Sequence, residues 1–308
     1  LSTGAEQVIH RLSTAPPDPR GISRNGEREA MGATAEQIHD VSARGVRLRV
    51  AERGGGPALL LLHDFLMSRQ GWGGVSPVLA ERYRVVTPDL PGFGESEKPS
   101  PNRFDYGVEA FAECVADLIA AMGLGRASVV GHGLSGAIAL ALATKHPEFV
   151  DRLTLVDPLV YAPPQKSGIF EMPVLGAFFF KQLYGRGLFR GYFRDRVFSP
   201  GFELPLAQID QLYDAFNSPS ARESAFAVMH AFLDTRSTVA RLGRVQAPSF
   251  VVWGRYDSLY PSQFGQRLAR ELNGARLEVM ETGHAPHIEQ PERFAEVLLD
   301  FLASGRAL

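Results

Sequence analysis

From His39 onward, short apolar runs alternate with longer stretches of helical period. Val46-Arg47-Leu48-Arg49-Val50 alternates apolar and polar residues, the period-2 pattern of a strand with one face covered. Ala58-Leu59-Leu60-Leu61-Leu62 is continuously apolar, which suits a parallel strand buried on both faces. Further strands are expected at Arg84-Val85-Val86, Ala127-Ser128-Val129-Val130, Leu153-Thr154-Leu155-Val156, Ser249-Phe250-Val251-Val252-Trp253 and Leu277-Glu278-Val279-Met280. Between them, Phe111, Val115, Leu118, Ile119 and Met122 fall at offsets of 4, 7, 8 and 11. Phe294, Val297, Leu298, Phe301 and Leu302 fall at offsets of 3, 4, 7 and 8, again one face of a helix. Strand-helix alternation of this kind predicts an α/β fold with a mostly parallel sheet flanked by helices.

The alternation stops between Leu159 and Val245, where aromatic clusters, glycines and helical segments replace strands. Residues 159–245 are therefore expected to form a helical cap inserted over the carboxyl ends of the strands, the edge at which open α/β sheets bind ligands. Residues 38–158 and 246–308 form the expected core. Residues 1–37, rich in Ser, Pro, Arg and Glu and interrupted by Pro16-Pro17-Asp18-Pro19, read as a flexible amino-terminal extension, with Met31 a conceivable alternative start.

Composition narrows the partners. A length of 308 residues and a formal net charge of -2 give room for a sizeable core and no reason to expect nucleic-acid binding. No apolar run reaches the ~18 residues of a membrane span, and the amino terminus lacks the layout of a secretory signal, so a cytoplasmic location is expected. The single cysteine, Cys114, sits in an apolar helical pattern as a buried, inert thiol. No phosphate loop, dinucleotide fingerprint or metal-ligand spacing is visible, and no cofactor or metal is expected.

The chemistry centres on Val129-Val130-Gly131-His132-Gly133-Leu134-Ser135-Gly136-Ala137, a strand, a sharp glycine-rich turn and an apolar helix. Such a turn holds a nucleophilic serine in one class of hydrolases, and Gly133 occupies that place. Gly133-Leu134-Ser135-Gly136-Ala137 offers Ser135 as an alternative nucleophile in a shifted register. A shift of two residues carries Ser135 into the helix and turns it away from a base.

Four other segments complete a pattern: His63-Asp64-Phe65 after the third strand, Asp89-Leu90-Pro91-Gly92-Phe93-Gly94-Glu95-Ser96, Gly254-Arg255-Tyr256-Asp257, and Gly283-His284-Ala285-Pro286-His287. In order and strand-end placement they resemble the α/β-hydrolase family, over roughly residues 39–158 and 246–303. The family's helix after the elbow usually runs to a His-Pro pair, and His146-Pro147 stands thirteen residues after Gly133, which fits Gly133 as the elbow. The resemblance implies an eight-stranded sheet, Asp257 and His284 as the acid and base of a triad, and an oxyanion hole built from the backbone N–H groups of Phe65 and Leu134. His287 is expected to order its loop. Asp64 stands where the family usually has glycine. It reads either as a tolerated turn residue, the simpler view, or as a carboxylate near the pocket that disfavours an anionic intermediate. Asp157-Pro158 offers a second carboxylate, with a strand-ending turn preferred.

Three readings of Gly133 remain open: a serine-to-glycine replacement that inactivates a hydrolase, a native dyad of Asp257 and His284 serving a lyase or cyclase, and a catalytically silent ligand receptor. The resemblance implies hydrolysis of an ester, lactone or carbon-carbon bond in an apolar small molecule. The apolar stretch Ile169-Phe170 and Met172 to Phe180, with Leu183, Tyr184 and the aromatics beyond, favours an apolar pocket wall, and Phe178, Phe179 and Tyr184 are assigned to the substrate pocket together with Asp64. Arg186, Arg190 and Arg194 recur every four residues, as a solvated face or, alternatively, a cationic rim for an anionic group or membrane surface.

Overall fold

The computed structural model describes residues 35–161 and 173–304. The extension up to Thr34, Met31 included, and Ile169, Phe170 and Met172 of the cap lie outside the described residues.

The strands are β1 (Gln37–Ala43), β2 (Val46–Arg53), β3 (Ala58–Leu62), β4 (Arg84–Pro88), β5 (Ala127–His132), β6 (Val150–Val156), β7 (Ser249–Gly254) and β8 (Arg276–Met280). They form one sheet in the order β1-β2-β4-β3-β5-β6-β7-β8. The pairings β1 with β2 and β2 with β4 are antiparallel, and the rest are parallel. β1 begins at Gln37 and runs largely exposed along the sheet edge, so the core starts one residue earlier than the composition shift suggests.

Period-2 geometry divides the core in two. Leu60 and Leu62 point to one face, under the helices Val108–Ala121 and Leu134–Lys145, while Leu59 and Leu61 point to the other with Trp72, Phe294 and Leu298. All five side chains of β3 are buried, which is why that run is continuously apolar. Leu134–Lys145 is apolar on every side because the helix lies inside the molecule, with every residue from Leu134 to Ala143 buried. Cys114 is buried as well, and burial pushes its thiol up to about 12, so it stays protonated and inert.

Between β6 and β7 the chain forms the cap, with helices Pro173–Phe178, Arg186–Tyr192, Leu206–Phe216 and Pro219–Ala231 and two π-helical turns, Phe179–Leu183 and Phe193–Val197. Phe180, Tyr184, Phe189, Phe193 and Phe216 pack ring against ring at the centre of this layer. The buried Arg222 closes it by donating to the Phe180 and Tyr184 carbonyls and to Asn217. Arg186, Arg190 and Arg194 pair with Asp210, Asp214 and Asp195, so they face acids of the cap itself and form no free cationic rim. Among the described residues, no helix is long and apolar enough to cross a membrane.

Candidate active site

Four loops at the carboxyl ends of β3, β5, β7 and β8 meet under the cap. The β7 loop supplies Asp257, whose Oδ1 accepts the backbone N–H groups of Leu259 (2.7 Å) and Tyr260 (3.0 Å). That turn leaves Oδ2 free to face Nδ1 of His284 at 2.8 Å. The β8 loop holds His284 fully buried, and its backbone N–H donates to the Val197 carbonyl of the cap at 2.7 Å. Glu289 ties the same junction, accepting from the amides of Ser199 (3.1 Å) and Gly283 (2.9 Å). Tyr260 sets its ring edge-on to the imidazole, 5.3 Å between centroids.

The other face of His284 meets Asp64. Its Oδ2 lies 3.1 Å from His284 Nε2, and its Oδ1 accepts the Leu134 backbone N–H at 2.6 Å. Asp64 is therefore more than a turn residue: its carboxylate lies inside the site, against the preferred sequence reading. The reason is steric. Gly133 has φ of 53° and ψ of -116°, and a Cβ built there would overlap Cγ and both oxygens of Asp64. Glycine leaves room, and the aspartate fills it. The Phe65 amide, the second expected oxyanion donor, has no hydrogen-bond partner among the described residues.

Protonation follows from this packing. Burial by itself depresses the His284 pKa, but the Asp257 carboxylate and then Asp64 outweigh it and raise the pKa well above 6.5. For Asp64, burial raises the pKa, yet the hydrogen bond from His284, the His132 and His284 charges and the Leu134 amide together bring it below 3.8. His132 is pushed down to about 4, chiefly by burial, and so adds no positive charge beside Asp64 at neutral pH. These shifts favour the imidazolium form of His284, which lies between Asp257 and Asp64.

Asp157 directly follows β6 at a bend, in keeping with the strand-ending turn. It is fully buried at φ of 42°, and its Oδ1 accepts the Gly254 N–H at 2.8 Å. Burial, with the neighbouring Asp257 charge, raises its pKa well above 3.8. That shift favours the neutral acid behind Asp257, and among the described residues its Oδ2 has no hydrogen-bond partner.

Two histidines are supports. His63 receives the Leu90 N–H on Nε2 at 3.0 Å and places Nδ1 2.8 Å from the Asp64 carbonyl, which fixes the loop carrying Asp64. His287 stacks on Trp72 at 4.0 Å, and burial keeps it neutral. Ser135 is fully buried and donates its hydroxyl to the His63 carbonyl, away from His284.

The fold also brings together ligand-type groups that sequence spacing did not reveal: Asp64, His132 and His284, and Asp157, Asp257 and His284. They do not fit a metal in this arrangement. Both ring nitrogens of His284 already face carboxylates, and His132 Nε2 faces the His284 carbonyl at 2.6 Å.

A cavity of about 610 Å³ lies between the cap and the segment after β3, and Asp64, Gly133, Asp257 and His284 are not in its lining. Met67, Phe193, Phe198, Leu204 and Leu212 supply its apolar wall, and Ser68, Gln70, Gln208, Gln211 and His287 its polar one. The assigned Phe178, Phe179 and Tyr184 do not line it. Phe178 is 59% exposed on the outer side of its helix, and Tyr184 belongs to the aromatic centre of the cap. Aromatic composition alone could not distinguish packing from lining.

Sheet order, inserted cap and the placement of Asp257 and His284 at strand ends define a hydrolase-type α/β architecture. Residues 57–291 match the family model for the alpha/beta hydrolase fold, and the chain belongs to that family. It is 30% identical to an uncharacterized protein of Mycobacterium tuberculosis, over 85% of this chain and 80% of that protein. It is also 30% identical to a 2-hydroxymuconate semialdehyde hydrolase of a Pseudomonas species, over 87% of this chain and 94% of that enzyme. Among solved structures, a membrane phospholipase A described as a bacterial virulence factor superposes with a TM-score of 0.73 at 29% identity, covering 90% of this chain and 89% of that one.

Proposed function

We propose that this chain is a hydrolase of an apolar small molecule, with Asp64, His284 and Asp257 carrying the chemistry and Asp64 standing in for the nucleophile that Gly133 lacks. The observation that carries this is the fit between Gly133 and Asp64. A serine side chain and the Asp64 carboxylate compete for one volume, and the carboxylate holds both an expected oxyanion donor and the histidine. This favours glycine as the native residue over an inactivating replacement. Relatives named as hydrolases, including the 2-hydroxymuconate semialdehyde hydrolase, support the reaction class. The proposal keeps hydrolysis and reassigns the nucleophile. Ester, lactone or carbon-carbon cleavage of the serine type would need the Leu134 amide for its oxyanion, and Asp64 already engages it.

The test is turnover of a panel containing aryl esters, lactones, terminal epoxides and 1-haloalkanes, compared between this chain and His284→Ala. The expected result is hydrolysis of at least one class, reduced about 10²- to 10⁴-fold in the variant as loss of a general base predicts. Undiminished activity in His284→Ala, or no hydrolysis of any class together with ligand-induced thermal stabilisation, would refute the reading and favour a receptor.

A further inference from the structure

We propose that the cavity between the cap and the segment after β3 is a ligand site in its own right, separate from the centre formed by Asp64 and His284, and that it takes an uncharged aromatic molecule bearing a hydroxyl group. Its volume of about 610 Å³ is that of a small-molecule site. Among the described residues, no aspartate, glutamate, lysine or arginine contributes to the lining. An ionic ligand would give up its hydration with no opposite charge to replace it, and that cost selects against anions and cations alike. Phe193 and Phe198 stand 6.2 Å apart between centroids and, with Met67, offer ring and thioether surface to an aromatic body. The polar groups are the carboxamides of Gln70, Gln208 and Gln211, the Ser68 hydroxyl and the His287 imidazole, all neutral and all able to donate and to accept.

His287 is the group in this wall that calls for a ligand. It is 1% exposed, and among the described residues neither of its ring nitrogens has a hydrogen-bond partner. Buried polar groups are ordinarily paired, so an imidazole left bare against a cavity points to a partner that enters from it. Trp72 stacks on the ring at 4.0 Å and His132 meets it at 4.6 Å in a T-shaped contact, which hold it in one orientation. Gly71 leaves the ring reachable: a Cβ there would stand 4.0 Å from His287 Nε2 and 3.7 Å from Ile288 Cδ1. A neutral imidazole presents one N–H and one lone pair, and a hydroxyl can serve either. Ser68, 5% exposed, adds a second group of the same kind, since its side chain does not cap the turn Arg69–Trp72 that follows it. His132 separates His287 from His284, with 5.0 Å between the centroids of His132 and His284, so the cavity ends one imidazole short of the catalytic histidine.

The probe is 2-naphthol, with naphthalene and 2-naphthoate as its hydroxyl-free and anionic counterparts, each titrated against the full chain at neutral pH. 2-Naphthol should bind saturably and give intermolecular NOEs to the Met67 methyl group. Naphthalene should bind about fivefold more weakly, as loss of one hydrogen bond predicts, and 2-naphthoate more than about tenfold more weakly. Gly71→Ala, whose methyl group meets its neighbours at ordinary contact distance, takes up the space beside Nε2 and should weaken 2-naphthol at least about fivefold. Asp64→Asn changes the catalytic centre and leaves the cavity lining as it is, so it should alter the affinity less than about twofold. The proposal is overturned by 2-naphthoate binding as tightly as 2-naphthol, by NOEs that miss Met67, by an effect of Asp64→Asn as large as that of Gly71→Ala, or by no saturable binding of 2-naphthol. The NOE arm uses the natural residues throughout, so misfolding of a variant does not remove the test.

Discussion

Installing serine at Gly133 separates a defective serine hydrolase from a site rebuilt around aspartate. The new Cβ would overlap the Asp64 carboxylate, forcing it off the Leu134 amide and the His284 ring. Each is a charge-assisted hydrogen bond worth about 1.5–3 kcal/mol. The φ of 53° at that position adds about 1–3 kcal/mol of backbone strain for a residue other than glycine. Their sum, roughly 4–9 kcal/mol without relaxation, is comparable with the whole stability of a typical domain, and relaxation will bring it down. We therefore expect Gly133→Ser to cost at least about 3 kcal/mol in urea unfolding. Asp64→Gly removes the same two bonds and empties the space that the serine needs. The double variant should then be more stable than the additive sum by about 2 kcal/mol or more, where independent sites agree within about 0.5 kcal/mol. It should also hydrolyse 4-nitrophenyl acetate, which Gly133→Ser alone should not, because only the double variant leaves the Leu134 amide to an oxyanion. Additive stabilities, or esterase activity in Gly133→Ser alone, would refute the steric coupling.

Two further outcomes follow from the charges. Replacing Asp64 with Asn removes one of the anions that raise the His284 pKa, so an NMR titration of that imidazole should show a lower value than in the unmodified chain; an unchanged value would mean Asp257 alone sets it. Because the folded His284 pKa is raised, its stabilising contribution is complete below about pH 6.5 and fades as pH rises through the folded value, while the depressed Asp64 contributes above about pH 3.8 and fades as pH falls. The stability advantage over Asp64→Asn should accordingly be greatest between those limits. For Asp157, held neutral, replacement by Asn preserves a donor toward Asp257 and should change unfolding free energy by less than about 1 kcal/mol, whereas Ala should cost about 1–3 kcal/mol. Equal losses would show that Asp157 is ionised.

Much of the scaffold is legible in the sequence because its causes are local. Parallel strands buried on both faces have to be continuously apolar, as in β3, and Asp257 and His284 announce themselves by following strands at the right end of the sheet. β1 is hidden because its exposed, edge-strand side chains carry almost no hydrophobic signal. The pocket wall is hidden because Phe178 and Phe193 are alike in composition and differ only in which side of the cap layer they face. Asp64 is obscure for a deeper reason: its role depends on Gly133, 69 positions away in the chain. A usable signal is present all the same. A side chain too small stands at one expected position and one too large at another, and these departures are complementary when the two positions share a site.

That complementarity changes the direction of proton flow. In a serine site the imidazole rests neutral and first accepts the hydroxyl proton, since the nucleophile has to be made. A carboxylate needs no such activation. Placed against His284, it makes the ring more basic and keeps it protonated, so a resting base is what this site lacks and a resting acid is what it holds. Chemistry that begins by taking a proton is penalised by that pairing. Neutralising Asp64 would withdraw part of the support for the imidazolium, the rest coming from Asp257. Gly133 is what permits that pairing: any side chain there would push the carboxylate away from the ring it controls.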